Sequence, residues 1–497
     1  MKKCFIVVLV FLLISCASKS DDATLRVALS QEPPTLDVAA NTSLVSRVIA
    51  SGNIFEKLLT VTETGAIKCE LASSYSLSDD NHKLVFVLKD NIFFHNGEKL
   101  DSDDVVSSMN RWLRIYKPAS DIVQGAEFHK IEGGIEIVSS ESLSYLPLLI
   151  AAAPQSAAIM SSSIVEALDK NEVVSEYIGT GPFKLKEWKS GESITLERYK
   201  EYSTDSDKNK GSIDTIIYFF VSDSVTRALG MKSGLYDFAN DAMSEDRALY
   251  KDSDISIVEG GESGSIGFIF NKSNGMTSDV DFRRALSLSI DNEKVMRACY
   301  GDFGWNIHTD YMEREQIFTL SDDNPYKGQD RERALEYLKK SGYSGETVRI
   351  LSSNSSNFDK MAIALADDFE KIGVKTELII LEWAAMMERR KDKSGWDVLV
   401  SAYTSVPLPQ MKLYLSPTYP GWISEEDEGV KLLLEMNDKS LDEAVVLWSA
   451  AQSAFWDSVP LVVPGHYITS YAQNKRLHDV IINNGFYFWN ARLGDAK

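Results

Sequence analysis

Between Asp330 and Tyr403 the signals for helix and strand alternate without a break, and this alternation restricts the possible folds more than any other feature of the chain. Asp330 can cap a helix that runs to Lys340, and Gly342 stands where that helix must stop. Residues 347–351 then have strand character, 357–372 form a helix closed by Gly373, and 374–381 form a strand. A helix over 382–391 and a strand over 396–403 follow. Strands separated by helices pair in parallel through right-handed crossovers, so the region predicts an α/β unit whose ligands lie at the carboxyl ends of its strands.

Upstream the pattern is more varied. Residues 25–30 alternate as a strand does, and Leu44, Val45, Val48, Ile49, Phe55 and Leu58 recur near helical spacing. Short strands are expected over 83–89 and 92–95, with Asn96-Gly97 as the turn that follows. Ser102 is placed to cap the next helix, with Asp103 and Asp104 in the first turn opposing the positive end of its dipole. Val105, Met109, Trp112, Leu113 and Tyr116 give that helix one apolar face. Residues 183–188 and 192–199 flank Ser190-Gly191 as a hairpin, and 213–221 and 265–271 have the composition of buried strands.

The chain has 497 residues, enough for two or three domains, and its 44% hydrophobic and 25% charged content is that of a globular protein. A net charge of -21 repels phosphate backbones, which argues against nucleic acid as a partner. Lys2 and Lys3 precede ten unbroken apolar residues, Phe5 to Ile14, the length of a signal-peptide core and too short to span a bilayer. The run ends in Leu13-Ile14-Ser15-Cys16, which resembles the lipobox of bacterial lipoproteins. On that resemblance residues 1–15 are a leader, Cys16 is lipidated, 16–23 are a tether, and the body meets a membrane only through lipid. Export would permit a disulfide between Cys69 and Cys299, although they lie in distant and differently patterned segments.

Catalytic patterns are missing. No serine has glycines two residues before and two after it, and no two of His82, His95, His129, His308, His466 and His478 are spaced as in an HExxH helix. Gly179-Thr180-Gly181 begins like a dinucleotide loop, but a hairpin follows instead of a helix. We expect no catalytic residue, resident metal or cofactor.

Four stretches in order resemble the extracytoplasmic solute-binding proteins of peptide- and nickel-type ABC importers, the oligopeptide- and dipeptide-binding family. They are Ala72 to Arg111, with Phe93-Phe94-His95-Asn96-Gly97; Gly179-Thr180-Gly181-Pro182-Phe183 with Trp188 and Gly191; Phe282-Arg283-Arg284-Ala285-Leu286 to Gly301; and Asp330 to Tyr343. The resemblance implies an α/β, type II periplasmic-binding-protein fold with two α/β lobes and an inserted third domain. Residues 24–52, 179–264 and 470–497 would form lobe I, 53–178 the insert and 265–469 lobe II. It further implies a non-enzymatic, monomeric, lipid-anchored receptor in the periplasm or cell envelope. Such a receptor closes on a small peptide or other small-molecule solute and delivers it to ABC permease subunits. A surface sensor or host-interaction lipoprotein on the same fold, and an exported hydrolase, are the alternatives.

In the family's peptide binders two strands hold the ligand backbone. The first maps to Gln31, Glu32 and Pro33, ahead of Leu36-Asp37. The second maps to Ser401-Ala402-Tyr403-Thr404-Ser405-Val406-Pro407-Leu408-Pro409. Here the sequence departs from the family: Ala402 replaces a tryptophan, and Ser405 replaces the aspartate that pairs with the ligand's α-ammonium. Ser401, Ala402, Tyr403, Ser405 and Trp305 are therefore expected at a site that does not depend on a free ammonium. A capped peptide, a sugar-like solute or a metal chelate would suit it.

Overall fold

The computed structural model describes residues 23–494 other than 63, 169–172, 203–206, 242–246, 252, 274, 315, 321–322 and 484. The leader and Cys16 lie outside these. Among the described residues twelve strands form one central sheet. They are β1 (Thr24–Leu29), β2 (Phe183–Lys189), β3 (Ser193–Arg198), β4 (Thr215–Phe220), β5 (Phe238–Ala239) and β6 (Ile255–Phe270). The remainder are β7 (Trp305–Asn306), β8 (Thr347–Ser353), β9 (Lys375–Leu381), β10 (Val398–Thr404), β11 (Leu461–Val462) and β12 (His466–Asn474). Their order is β9-β8-β10-β6-β12-β5-β1-β4-β3-β2, with β7 beside β12 and β11 beside β6.

The alternation seen in the sequence gives the first three positions of that order. β8 pairs in parallel with both β9 and β10, and helices Phe358–Lys371 and Trp383–Arg389 connect them. Each helix stops where the sequence places a glycine or a polar run; Gly342 and Gly373 take φ +73 and +89. The middle of the sheet is antiparallel. β6 runs against β10 on one side and β12 on the other, and these two long strands join the halves of the sheet.

A separate four-stranded sheet is built from Ala72–Leu77, Lys83–Leu88, Phe128–Ile131 and Gly134–Val138, covered by helix Ser102–Ile115. The expected apolar face of that helix is buried: Val105, Met109 and Trp112 are fully enclosed. The cap is Asp101 and not Ser102. Asp101 accepts from the amides of Asp103 and Asp104 while the Asp104 side chain accepts from the Asp101 amide, because a carboxylate one residue earlier can serve both donors. The strand expected over 92–95 does not form. Asn96-Gly97 folds that stretch into a tight turn, with Gly97 at φ +86, and leaves Phe93 only an isolated bridge to Lys99. The strand expected over 265–271 begins ten residues earlier, its first half concealed by Gly260 and Gly261.

Gly179 and Gly181 have a packing reason. A Cβ at either position would stand 2.0 or 2.1 Å from the carbonyl oxygens of Ile54 and Asn53, so this run holds the chain against the 53–54 turn. Cys69 and Cys299 are free thiols; burial pushes the Cys299 thiol up to about 12. One apolar cluster, around Leu25, Val27, Ile216 and Tyr218, takes in Phe486 and Phe488 from the chain's end. A second fills the space under β8 and β10. A third runs from Trp112 and Phe86 through Tyr145 to Tyr414 and Trp448.

Candidate binding cleft

A cavity of about 1440 Å³ opens where the two halves of the central sheet meet the four-stranded sheet domain. Helix Leu44–Ala50 contributes Leu44 and Arg47 to its wall, β12 contributes Tyr467, Thr469 and Tyr471, and β6 contributes Gly261, Glu262 and Ser263. The opposite side holds Thr404, the last residue of β10, to Leu408, with Arg314 and Gln316; Tyr116 and Tyr145 also line the cavity. The register of β6 against β12 shifts twice, on both sides of Glu262. Such a bulge re-aims one side chain, and here it places a carboxylate in the wall of the cavity.

Glu262 stands in a buried charge cluster. Its Oε2 accepts from His308 Nδ1 at 3.0 Å and from the Arg314 amide at 2.8 Å, while His308 Nε2 lies 3.6 Å from Asp310. Burial alone would push His308 down, but the bonds to Asp310 and Glu262 outweigh it and raise the imidazole to about 9. Burial likewise pushes Glu262 up and is overcome by His308, His466 and the Arg314 amide, which hold it at about 2. His466, fully enclosed, is pushed down to about 4 by burial and donates Nδ1–H to the His308 carbonyl at 2.9 Å. Lys412 and Glu313 pair beside it at 2.6 Å. Glu262, His308 and His466 offer ligand atoms within 4.8 Å of one another, so the fold does assemble a metal-capable donor set that no sequence spacing announced. A metal there would have to displace the proton that His308 shares with its two carboxylates.

Of the residues expected at a site, Ser405 lines the cavity. Its amide donates to Ser263 O at 2.9 Å, one residue from Glu262, and its hydroxyl accepts from Gln316 Nε2 at 2.6 Å. Ser401, Ala402 and Tyr403 lie on β10 behind that wall. Tyr403 is buried, its hydroxyl 2.9 Å from that of Tyr419 and its ring edge-on to Tyr414. Trp305 packs beside β12 on β7 and donates Nε1–H to Gly301 O. Gln31, Glu32 and Pro33 follow β1. Glu32 is held by the hairpin, accepting from Trp188 Nε1 at 2.7 Å and from the Gly191 amide at 2.9 Å, so it is not the acid that stands beside Ser405. Arg47 and Glu262 are among the cavity-lining residues that sequence reasoning missed. The run Gly260-Gly261-Glu262-Ser263-Gly264, an acid among glycines inside a strand, was the available sign of a bulge.

Residues 66–424 match the model of the bacterial extracellular solute-binding proteins, family 5. The chain is 24% identical over 499 residues to the "Probable peptide ABC transporter periplasmic-binding protein y4tO" of Sinorhizobium fredii, covering 94% of this chain and 93% of that one. The ABC transporter substrate-binding protein CtaP of Listeria monocytogenes has the same fold, with a TM-score of 0.80 at 20% identity over 92% and 94% of the two chains. A dipeptide-binding protein of a Pseudoalteromonas species, solved with Met-Leu, gives 0.74 at 19% over 95% and 100%. A family match across most of the chain, on two sheet halves joined by long antiparallel strands, makes this protein a member of bacterial extracellular solute-binding family 5 with a type II periplasmic-binding-protein fold.

Proposed function

We propose that the chain is the substrate-binding component of a peptide-type ABC importer. It captures a peptide or peptide-like solute in the cleft and presents it to permease subunits as a monomer held to a membrane by lipid on Cys16. The observation that carries this reading is the cavity itself. At about 1440 Å³ it exceeds the usual 300–1,000 Å³ of a small-molecule pocket, and it is walled by both halves of the central sheet. The division into lobes follows the sheet. β1 to β5 supply one half, β8 to β10 the other, and β6 and β12 cross between them close to positions 264 and 470. The bulges at Glu262 fall on that crossing, where the ladder is weakest and a hinge costs least.

The test is native mass spectrometry of the chain purified without denaturation. A co-purified species of peptide or peptide-conjugate mass, released on unfolding and rebound on refolding, is the expected result. Steady turnover of that species by the purified protein would sink the reading in favour of an exported hydrolase. For the anchor, Cys16→Ala should leave the protein in the soluble fraction, and pelleting of the variant with membranes would refute lipidation at that residue.

A further inference from the structure

We propose that Arg47 forms an anion subsite in the cleft and that the ligand is recognised through a carboxylate placed against it. The inference rests on the cleft reading above and adds the charge the ligand must carry. Arg47 lines the main cavity and also the adjoining one of about 1110 Å³, so its side chain stands at their junction. Among the described residues it makes no ion pair, and its Nε is buried without a hydrogen-bond partner.

The neighbouring carboxylates are already taken. Lys208 binds Glu56 at 2.9 Å and Glu70 at 2.5 Å, Glu70 also accepts from the Lys57 amide, and Tyr202 and Thr180 complete Glu56. Three cations thus stand near two carboxylates that Lys208 alone pairs with: Lys57 Nζ donates to the Ala151 carbonyl instead, and Arg47 pairs with neither acid. Burial pushes its guanidinium down, and only the phenols of Tyr487 and Tyr471 act in the other direction. A half-buried guanidinium flanked by phenol hydroxyls, facing a solute cavity, offers planar donors that match a carboxylate. Buried charges require partners, and here the solute is the partner that completes the set. The other buried charge in the wall, Glu262, is already balanced by His308, and Ser405 beside it is uncharged. The demand for an anion is therefore local to Arg47: Asp121, Glu141 and Asp438 also line the cavity, and the demand is met only if the ligand's carboxylate meets the guanidinium directly.

Calorimetry of the full chain against trialanine, N-acetyl-trialanine, trialanine amide and succinate decides the matter, with Arg47→Gln and Arg47→Lys as variants and thermal unfolding as the control for folding. In the wild type the two tripeptides with a free carboxylate should bind at least tenfold tighter than the amide. Arg47→Gln should close that gap without lowering thermal stability, and Arg47→Lys should keep part of it. An amide that binds as tightly as the acid, or a gap that survives in Arg47→Gln, overturns the inference. Binding of succinate but of no tripeptide, lost in Arg47→Gln, would uphold the subsite and reject the peptide reading. Failure of every carboxylate to bind at millimolar concentration rejects the subsite and leaves the cleft reading to the co-purified ligand.

Discussion

His308 keeps its proton at neutral pH because Glu262 and Asp310 stand on either side of it, while His466, its ring tilted against that of His308 with centroids 4.8 Å apart, is kept neutral by burial. The two imidazoles therefore limit stability from opposite directions. His308 is raised from 6.5 to about 9, so its contribution is complete below pH 6.5 and is lost as the pH rises through 9. His466 is lowered to about 4, so its contribution is complete above pH 6.5 and is lost as the pH falls toward 4. Denaturant unfolding between pH 5 and 10 should show both declines, and His308→Gln should flatten the alkaline one, worth about 3 kcal/mol. An alkaline limb unchanged in that variant would mean the proton is elsewhere. Ser405 invites the complementary experiment. In the wild type, N-acetylation of a tripeptide should change its affinity by less than threefold. Ser405→Asp should make the free form bind about tenfold tighter than the acetylated one, because a charge-assisted bond to the ammonium becomes available. A wild type that already prefers the free form tenfold would show that another carboxylate meets the ammonium.

At the scale of elements, one ion pair ties the loop after β1 to helix Ser102–Ile115. Arg111 binds Asp37 through both nitrogens, at 2.5 and 3.2 Å, and Asp37 also accepts from the Val174 amide. Both side chains are enclosed, so removing one partner leaves a buried charge uncompensated. Arg111→Met should cost about 3–5 kcal/mol of unfolding free energy. A loss under 1 kcal/mol would show that the loop and helix dock through apolar contacts alone. The sequence displayed the helix and its apolar face plainly, since five residues at helical spacing leave one solution. It did not display Arg111 as a docking residue, because an arginine facing a distant loop looks the same in sequence as one facing water. Element types were legible for the same local reason, and the end of β6 that carries the bulges was not, since glycines read as a break in the strand.

Across the whole molecule, contacts link the parts that wall the cavity. The Tyr145 hydroxyl donates to Met436 O at 2.5 Å, joining the four-stranded sheet domain to the region after β10. If the cleft closes on its solute, this bond belongs to the closed form, and one net hydrogen bond is worth about 1 kcal/mol. Tyr145→Phe should therefore weaken ligand binding about fivefold and leave secondary structure unchanged. Small-angle scattering should show a smaller radius of gyration with saturating co-purified ligand, and a higher ligand concentration should be needed for that change in the variant. Identical scattering curves with and without ligand would argue against a receptor that closes.

Local chemistry by itself determined that residues 330 to 403 form an α/β unit and that a hairpin stands at Ser190-Gly191. Each of these depends on neighbours within a few positions, where periodicity, turn residues and a motif's spacing act directly. Only the tertiary structure decided which charges meet. His308 and His466 are 158 residues apart and Arg111 is 74 from Asp37, and no local rule relates them. Arg47 makes no ion pair among the described residues, while Lys208, far along the chain, folds back to pair with both Glu56 and Glu70 on the adjoining cavity. That assignment depends on which buried groups lie within a few ångströms of each other, a distance that packing sets.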